Sequence, residues 1–106
     1  MYRGLPLHSH LPSLAFLAKS LADENRLRIL LALGNGKKAV THLVEELQLS
    51  QPLVSHHLKE LKRSLLVKVE RRGPFVFYEV ADPRIMGILA GLAELVQDLL
   101  ANRKTF

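Results

Sequence analysis

The chain has 106 residues, 48% of them hydrophobic, which is enough for one domain with a core, and its net charge of +5 favours a polyanionic partner. It contains no cysteine, so disulfides, thiolate metal sites and thiol redox switches are excluded. It also lacks both the ~20-residue apolar run of a membrane-spanning helix and the pattern of a signal peptide, and we therefore expect a soluble, cytoplasmic protein.

Two helices are predicted early in the chain, after an irregular arm over residues 1–12 that glycine and proline interrupt. Ser13 is a candidate cap for the first helix, over residues 13–21, whose leucines form an apolar edge. Asp23 is expected to open the second helix, Glu24–Leu33, because carboxylates are favoured at a helix N-terminus. A Gly-Asn-Gly sequence then ends it.

A helix-turn-helix is predicted over residues 41–64. Lys37–Val40, just before it, is short enough to be an edge strand. Thr41 is expected to cap a short helix, His42–Leu47, and a two-residue turn leads to a second helix at Ser50–Ser64. Two helices joined by a short turn, with a polar and basic second helix, are typical of this DNA-binding motif.

The helix at Ser50–Ser64 has two different faces. Its apolar stripe, with steps of three and four residues, consists of Leu53, Val54, Leu58, Leu61 and Leu65. The opposite face carries short polar groups early and cations late, which suits a helix whose start enters a major groove. An ordinary amphipathic helix with a solvated face uses the same residue types, so both interpretations are open. His57 lies beside the stripe and is expected to be structural.

A β-hairpin is predicted over residues 66–80. Branched and aromatic residues alternate with polar ones in Leu66–Glu70 and Phe75–Val80, with Arg71-Arg72-Gly73-Pro74 as the tip between these strands. A hairpin directly after a helix-turn-helix is a wing. We expect its two arginines to reach a minor groove or flanking phosphates.

A long last helix is predicted over residues 84–102, capped and started by Asp82 and Pro83. Its apolar stripe is longer than a small domain needs, and we interpret the excess as a homodimer seam shared with the first helix. The alternative is that the stripe packs wholly on its own domain. The expected interface residues are Leu14, Leu17, Ile85, Ile88, Leu89, Leu92, Leu95, Val96 and Leu99.

Three stretches resemble the ArsR/SmtB family of winged-helix repressors. LADENRLRILLAL resembles the family's second-helix signature, LSQPLVSHHLKELKRSLLVKVERRGPFVFYEV resembles its recognition helix and wing, and the terminal helices fit its dimer frame. The resemblance implies a mainly α fold with a small β-hairpin, a winged helix-turn-helix of the α+β class. It further implies a homodimer that binds an operator inverted repeat in double-stranded DNA and represses transcription until a ligand weakens binding.

The resemblance also places DNA contacts on the exposed start of the recognition helix. The residues assigned to base contacts are Ser50, Gln51, Pro52, Ser55, His56 and Lys59. Those assigned mainly to phosphates are Lys59, Lys62, Arg63, Arg71 and Arg72. The Gln51 amide can make paired hydrogen bonds to adenine. Each neutralised phosphate should steepen the log–log salt dependence by about 0.9.

The metal ligands familiar in the family are missing. Ala39 and Thr41 stand where many members carry paired cysteines, and the last helix contains no histidine. We therefore expect no metal sensor of the usual kind and no cofactor. One alternative is a three-imidazole site for zinc, nickel or copper, in which His8 and His10 of one subunit reach His42 of the other.

Three functions remain open at this point: a DNA-binding repressor that does not sense metal, the same dimer with a histidine metal site, and a winged-helix module whose basic face meets an acidic protein.

An enzyme is not expected. The chain has no cysteine nucleophile, glycine-rich phosphate loop or GxSxG turn. His56 and His57 are adjacent on a helix and point about 100° apart, so they cannot act as one pair.

Overall fold

The computed structural model describes residues 8–103, which form five α-helices and a small three-stranded antiparallel sheet. A 3-10 turn, His8–His10, precedes the first helix. The elements in chain order are α1 (Leu11–Ser20), α2 (Glu24–Leu33), β1 (Lys38–Ala39), α3 (Val40–Leu47), α4 (Gln51–Arg63), β2 (Val67–Arg72), β3 (Phe75–Val80) and α5 (Arg84–Ala101). Most of the predicted N-terminal arm, residues 1–7, lies outside the described residues.

Helices α2 and α4 begin where the sequence predicts, because side-chain caps fix their starts. The Asp23 carboxylate accepts a hydrogen bond from the backbone N–H of Arg26 at 3.1 Å. The Ser50 hydroxyl accepts one from the N–H of Leu53 at 3.3 Å. In both helices a free N–H of the first turn is therefore satisfied by the residue just before the helix.

The predicted caps of α1 and α3 are wrong. Helix α1 already begins at Leu11, so Ser13 lies inside it; Pro12 is tolerated in the first turn, where a missing N–H costs nothing. Helix α3 begins at Val40, before Thr41, and has no side-chain cap. Its start is set by Ala39, which is extended because it pairs with Phe77 in the sheet.

The wing is longer than predicted, since β2 runs on through both arginines. Arg71 pairs with Val76 and Arg72 with Phe75, so the arginines lie in the strand and only Gly73 and Pro74 form the turn. Gly73 has a φ of 58°, a left-handed conformation that glycine adopts without the clash of a Cβ. Strand β1 pairs with the other edge of β3, giving the order β1-β3-β2.

The core lies between α2, α3, α4, the sheet and the start of α5. Its buried hydrophobic residues are Ile29, Leu30, Ala32, Leu33, Leu43, Val54, Leu58, Leu61, Leu66, Val67 and Leu89. Leu89 was predicted at the dimer seam, but it is only 8% exposed in a single protomer. It packs inside its own domain because it lies on the side of α5 that turns toward the core.

The apolar stripe predicted for α4 is wrong at its last member. The helix ends at Arg63, and Leu65 follows in a left-handed conformation, with φ 66°, that leaves it 80% exposed. The N–H of Leu66 bonds to the carbonyl of Leu61 at 2.9 Å, and that of Leu65 to the carbonyl of Lys62 at 3.0 Å. These two bonds form a Schellman motif in which a leucine occupies the position that glycine usually takes.

Candidate nucleic-acid interface

Helix α4 anchors one face in the core and presents the other to solvent. The residues predicted to contact DNA from this helix and its cap are all exposed. They are Ser50, Gln51, Pro52, Ser55, His56, Lys59, Lys62 and Arg63. At 100° per residue, those within the helix span an arc of about 140°, and the buried Val54, Leu58 and Leu61 lie outside this arc. The structure therefore brings the predicted contact residues of this helix onto one continuous surface.

Arg63, at the end of this surface, also contacts α1. Its guanidinium carbon lies 5.8 Å from the centroid of the Phe16 ring, and its Nη1 lies 3.8 Å from the Glu60 carboxylate. At 1.5 Å per residue, Arg63 lies about 18 Å along the helix axis from Gln51. Gln51 and Arg63 would therefore meet different parts of a nucleic acid.

The turn between α3 and α4 is held by a residue that the sequence analysis did not single out. Arg28 of α2 donates from Nη2 to the carbonyl oxygen of Leu47 at 2.7 Å and from Nη1 to the side-chain oxygen of Asn25 at 3.2 Å. Gln48, which ends α3 with a φ of 56°, donates from Nε2 to the carbonyl of Glu45 at 2.7 Å. These bonds hold the C-terminal end of α3, from which the turn leads into α4.

His57 joins the buried side of α4 to the start of α2, as its predicted structural role requires. It is 5% exposed, and its Nδ1 accepts a hydrogen bond from Nε of Arg26 at 3.2 Å. Its Nε2 lies 3.8 Å from the Asp23 carboxylate. Burial lowers the pKa of His57, against the opposing effect of Asp23, so the imidazole is held neutral. The neutral ring is the form that can accept the Arg26 bond.

The two wing arginines have different surroundings. Arg72 donates from Nε to the Glu70 carboxylate at 2.7 Å, and Lys37 bonds the other oxygen of the same carboxylate. Hydrogen bonds from Lys37 and then Arg72 lower the pKa of Glu70. Within residues 8–103, Arg71 makes no ion pair, so its charge is not compensated there. The sequence predicts both arginines in the turn, so it does not reveal the alternation along β2 that places Arg72, and not Arg71, on the face of Glu70.

Comparison with known proteins places this arrangement in a family. Residues 23–69, from the start of α2 into β2, match the model described as bacterial regulatory protein, arsR family. An uncharacterized HTH-type transcriptional regulator of Methanocaldococcus jannaschii is 38% identical over 82 residues, which cover 76% of this chain and 92% of that protein. The chain belongs to the arsR family. It is a transcriptional regulator with the winged helix-turn-helix DNA-binding fold.

Two further comparisons agree with this membership. The HTH-type transcriptional repressor SmtB of Mycobacterium tuberculosis is 40% identical over 86 residues, which cover 81% of this chain but only 58% of that repressor. The solution structure of a homodimeric winged helix-turn-helix DNA-binding domain from Mycobacterium bovis superposes with a TM-score of 0.77, at 26% identity. That match covers 96% of this chain and 94% of that one.

This arsR-family chain also carries a broad exposed apolar face on α1 and α5. The predicted seam residues that remain exposed are Leu14, Leu17, Ile88, Leu92, Leu95, Val96 and Leu99. Leu100, which belongs to the apolar stripe predicted for the last helix, is exposed beside them, and so are Leu11 and Phe16 of α1, which the sequence did not single out. Ile85 packs partly against the core. A groove of about 620 Å³ opens between α1, the turn after α4 and the start of α5.

The candidate metal ligands of the regulator do not converge within one protomer. Among residues 8–103, no group of three or more His, Cys, Asp or Glu side chains is placed to hold a metal ion. His42 instead lies 3.6 Å from the Glu46 carboxylate, one turn along α3. The alternative with His8 and His10 joins two subunits, so a single protomer does not test it.

Among the helices of residues 8–103, none has the length and the apolar character of a membrane-spanning segment.

Proposed function

We propose that this regulator acts in the cytoplasm as a homodimer that binds an operator inverted repeat and represses transcription from it. The observation that carries the proposal is the exposed polar start of α4, held by a buried apolar stripe and by the contacts of His57 and Arg28. A rigid helix with a free polar start can place side chains at base edges with little loss of conformational entropy on binding. The relative SmtB is named as a repressor, which supports repression as the direction of regulation.

The proposed roles follow from reach and chemistry. Gln51, in the first turn of α4, presents an amide that can bond adenine in pairs, and Ser55 and His56 follow one turn later. Lys59 and Lys62, further along the same arc, are placed for phosphates. The role of the phosphate contacts is to orient the helix, whereas the amide and hydroxyl groups provide the choice of sequence.

The proposed dimer uses the exposed faces of α1 and α5. Large apolar side chains on these helices are about half exposed in the protomer, more than a small monomeric domain needs to leave in water. The M. bovis domain that shares this fold is described as homodimeric. A two-fold dimer would present two copies of α4 to the two halves of an inverted repeat.

Selection of bound duplexes from a random pool tests this function. We expect wild-type protein to enrich an inverted repeat, with binding that weakens steeply as salt rises. Gln51→Ala and Ser55→Ala should lose selectivity between the enriched and scrambled duplexes, by about 1–3 kcal/mol for a paired base contact. Gln97→Ala, an exposed change on the polar side of α5, is the matched control and should keep it. If Gln51→Ala binds and selects like wild type, the contact assignment is wrong.

The same experiment separates the other candidate functions. A chain that enriches no duplex but captures an acidic protein would favour the protein-interaction module. Equilibrium dialysis against zinc and nickel tests the histidine site. Stoichiometric binding that is lost in His8→Ala and His42→Ala would support a metal-responsive repressor. We propose instead that the regulator binds no metal as a cofactor and responds to a ligand of another kind or to a partner protein.

A further inference from the structure

The geometry points to Phe75 as a DNA contact. We propose that its ring packs against deoxyribose in the minor groove beside each half-site, while Arg71, rather than Arg72, supplies the main charge of the wing. This inference rests on the proposed DNA-binding function and extends it to the wing. A phenylalanine at the start of a strand is more often part of a core, and the sequence therefore does not mark Phe75 as a contact residue.

Phe75 lies at the tip of the wing and is 60% exposed. It pairs directly with Arg72 across the two-residue turn, and its ring centroid lies 6.3 Å from that of Phe77. At about 3.3 Å per residue, the tip lies roughly 17 Å along β2 from the buried Val67. This large aromatic ring lies far from the core, and apart from its contact with Phe77 it is left mostly in solvent.

The strand register divides the wing into two faces. Val67 is buried, and Tyr78 and Val80 pack against the core, so the face that they share is the inner one. Arg71 continues this inner face toward the tip, opposite Val76. The outer face carries Lys68, Glu70 and Arg72 on β2 and Phe75, Phe77 and Glu79 on β3. Arg71 and Phe75 therefore lie on opposite faces of a ribbon that is two strands wide.

Charge on the outer face is largely compensated. Glu70 bonds both Lys37 and Arg72, and Lys68 lies 3.4 Å from Glu79. Arg71, on the other face, makes no such bond to any residue of the described range 8–103. A ribbon that enters the minor groove edge-on turns its two faces to the two walls of the groove. Phosphates on one wall would attract Arg71, and sugar rings on the other offer apolar surface to Phe75.

The kind of contact determines how each variant should behave. A phosphate or groove cation releases counterions, so Arg71→Ala should reduce the log–log salt slope by about 1.8 for two protomers. An apolar contact releases none, so Phe75→Ala should weaken binding about tenfold with the salt slope unchanged. Phe75→Leu keeps an apolar side chain and should recover most of the affinity. Arg72→Ala should change the slope less than Arg71→Ala, because Glu70 already compensates its charge.

The test uses full-length protein and two duplexes made from the repeat enriched by the wild type. One carries eight base pairs of flanking DNA on each side, and the other is trimmed to the repeat. The Phe75→Ala penalty should be present on the long duplex and fall within twofold of wild type on the trimmed one. Leu31→Ala, which removes an exposed leucine from α2, is the control and should bind both duplexes like wild type.

Affinities are calculated for the folded fraction of each protein, measured by urea unfolding, so a loss of stability in Phe75→Ala does not count as a loss of affinity. Equal penalties for Phe75→Ala on the two duplexes, or no penalty on either, would then overturn the inference. Failure of the wild type to bind either duplex would instead contradict the proposed function. The two failures are therefore distinguishable.

Discussion

Truncation of Leu92 on α5 tests whether the exposed apolar face is a dimer seam. Leu92 is 47% exposed in the protomer, so about half of its side chain remains available for burial by a partner. Full burial of a leucine stabilises by about 1.5–3 kcal/mol, which gives about 1 kcal/mol for the remaining half. Two-fold symmetry repeats the loss, and Leu92→Ala should weaken the dimer by about 2 kcal/mol, or about 30-fold in its dissociation constant.

Sedimentation equilibrium over a range of protein concentrations measures this constant directly. Gln97→Ala is the matched control, since Gln97 lies about 140° around α5 from Leu92 and is exposed on its polar side. The control should dissociate like wild type. A Leu92→Ala protein that dimerises as tightly as the control would refute the reasoning, as would a wild type that remains monomeric at every concentration.

Four further predictions follow from single contacts. Leu58→Ala, which empties a fully buried position, should lower the free energy of unfolding by about 2–5 kcal/mol in urea; a loss below about 1 kcal/mol would contradict the packing described for α4. The pKa of His57 in the fold lies below its ordinary value of 6.5, so neutral His57 is favoured by folding. The free energy of unfolding should therefore be highest above about pH 6.5 and fall as the pH drops toward the lowered pKa. In urea titrations, His57→Gln should show a weaker dependence of this free energy on pH. A dependence as steep as that of the wild type would contradict the assignment. Glu70→Gln removes the carboxylate shared by Lys37 and Arg72, and it should tighten DNA binding and steepen its salt slope; weaker binding in a salt titration would exclude this. Leu65→Gly should raise the free energy of unfolding by about 1 kcal/mol by relieving a left-handed leucine, whereas a destabilised variant would show that the exposed side chain makes contacts of its own.

Local signals account for the elements that the sequence predicts well. Asp23 and Ser50 are short polar residues directly before an apolar periodic stretch, and both cap their helices as expected. Strand β3 has its predicted bounds, Phe75–Val80, because alternation and a following Asp-Pro step mark it within a few residues. The fold class follows from these local signals, and the family comparison confirms it.

Contacts between distant residues account for most of what the sequence does not predict. His57 is held by Arg26, Leu47 by Arg28, and Glu70 by Lys37, and each pair joins different elements of the fold. The periodicity of apolar residues along the chain does not reveal these pairs. The difference between Arg71 and Arg72 has a local origin instead, because alternate residues of a strand share a face and Arg72 therefore reaches Glu70, two residues earlier. It is not predicted because the sequence favours a turn at residues 71–74.

Helix ends account for the remaining differences. Leu65 continues the spacing of the α4 stripe, but the helix stops two residues earlier, and the left-handed turn exposes it. Leu89 fits the apolar spacing of α5 as well as the other predicted seam residues do. The side of the long helix that faces the core depends on how α5 leaves β3, and this orientation places Leu89 inside.

The spacing of the two half-sites tests the central claim most directly. Two copies of α4 in a two-fold dimer should require half-sites about 10 base pairs, one helical turn, or a multiple of it apart. We predict that inserting five base pairs between the halves of the enriched repeat, which rotates one half to the opposite side of the duplex, will abolish tight binding. Inserting ten base pairs should be less damaging. Binding that is equally tight for the original repeat and the five-base-pair insertion would contradict the account.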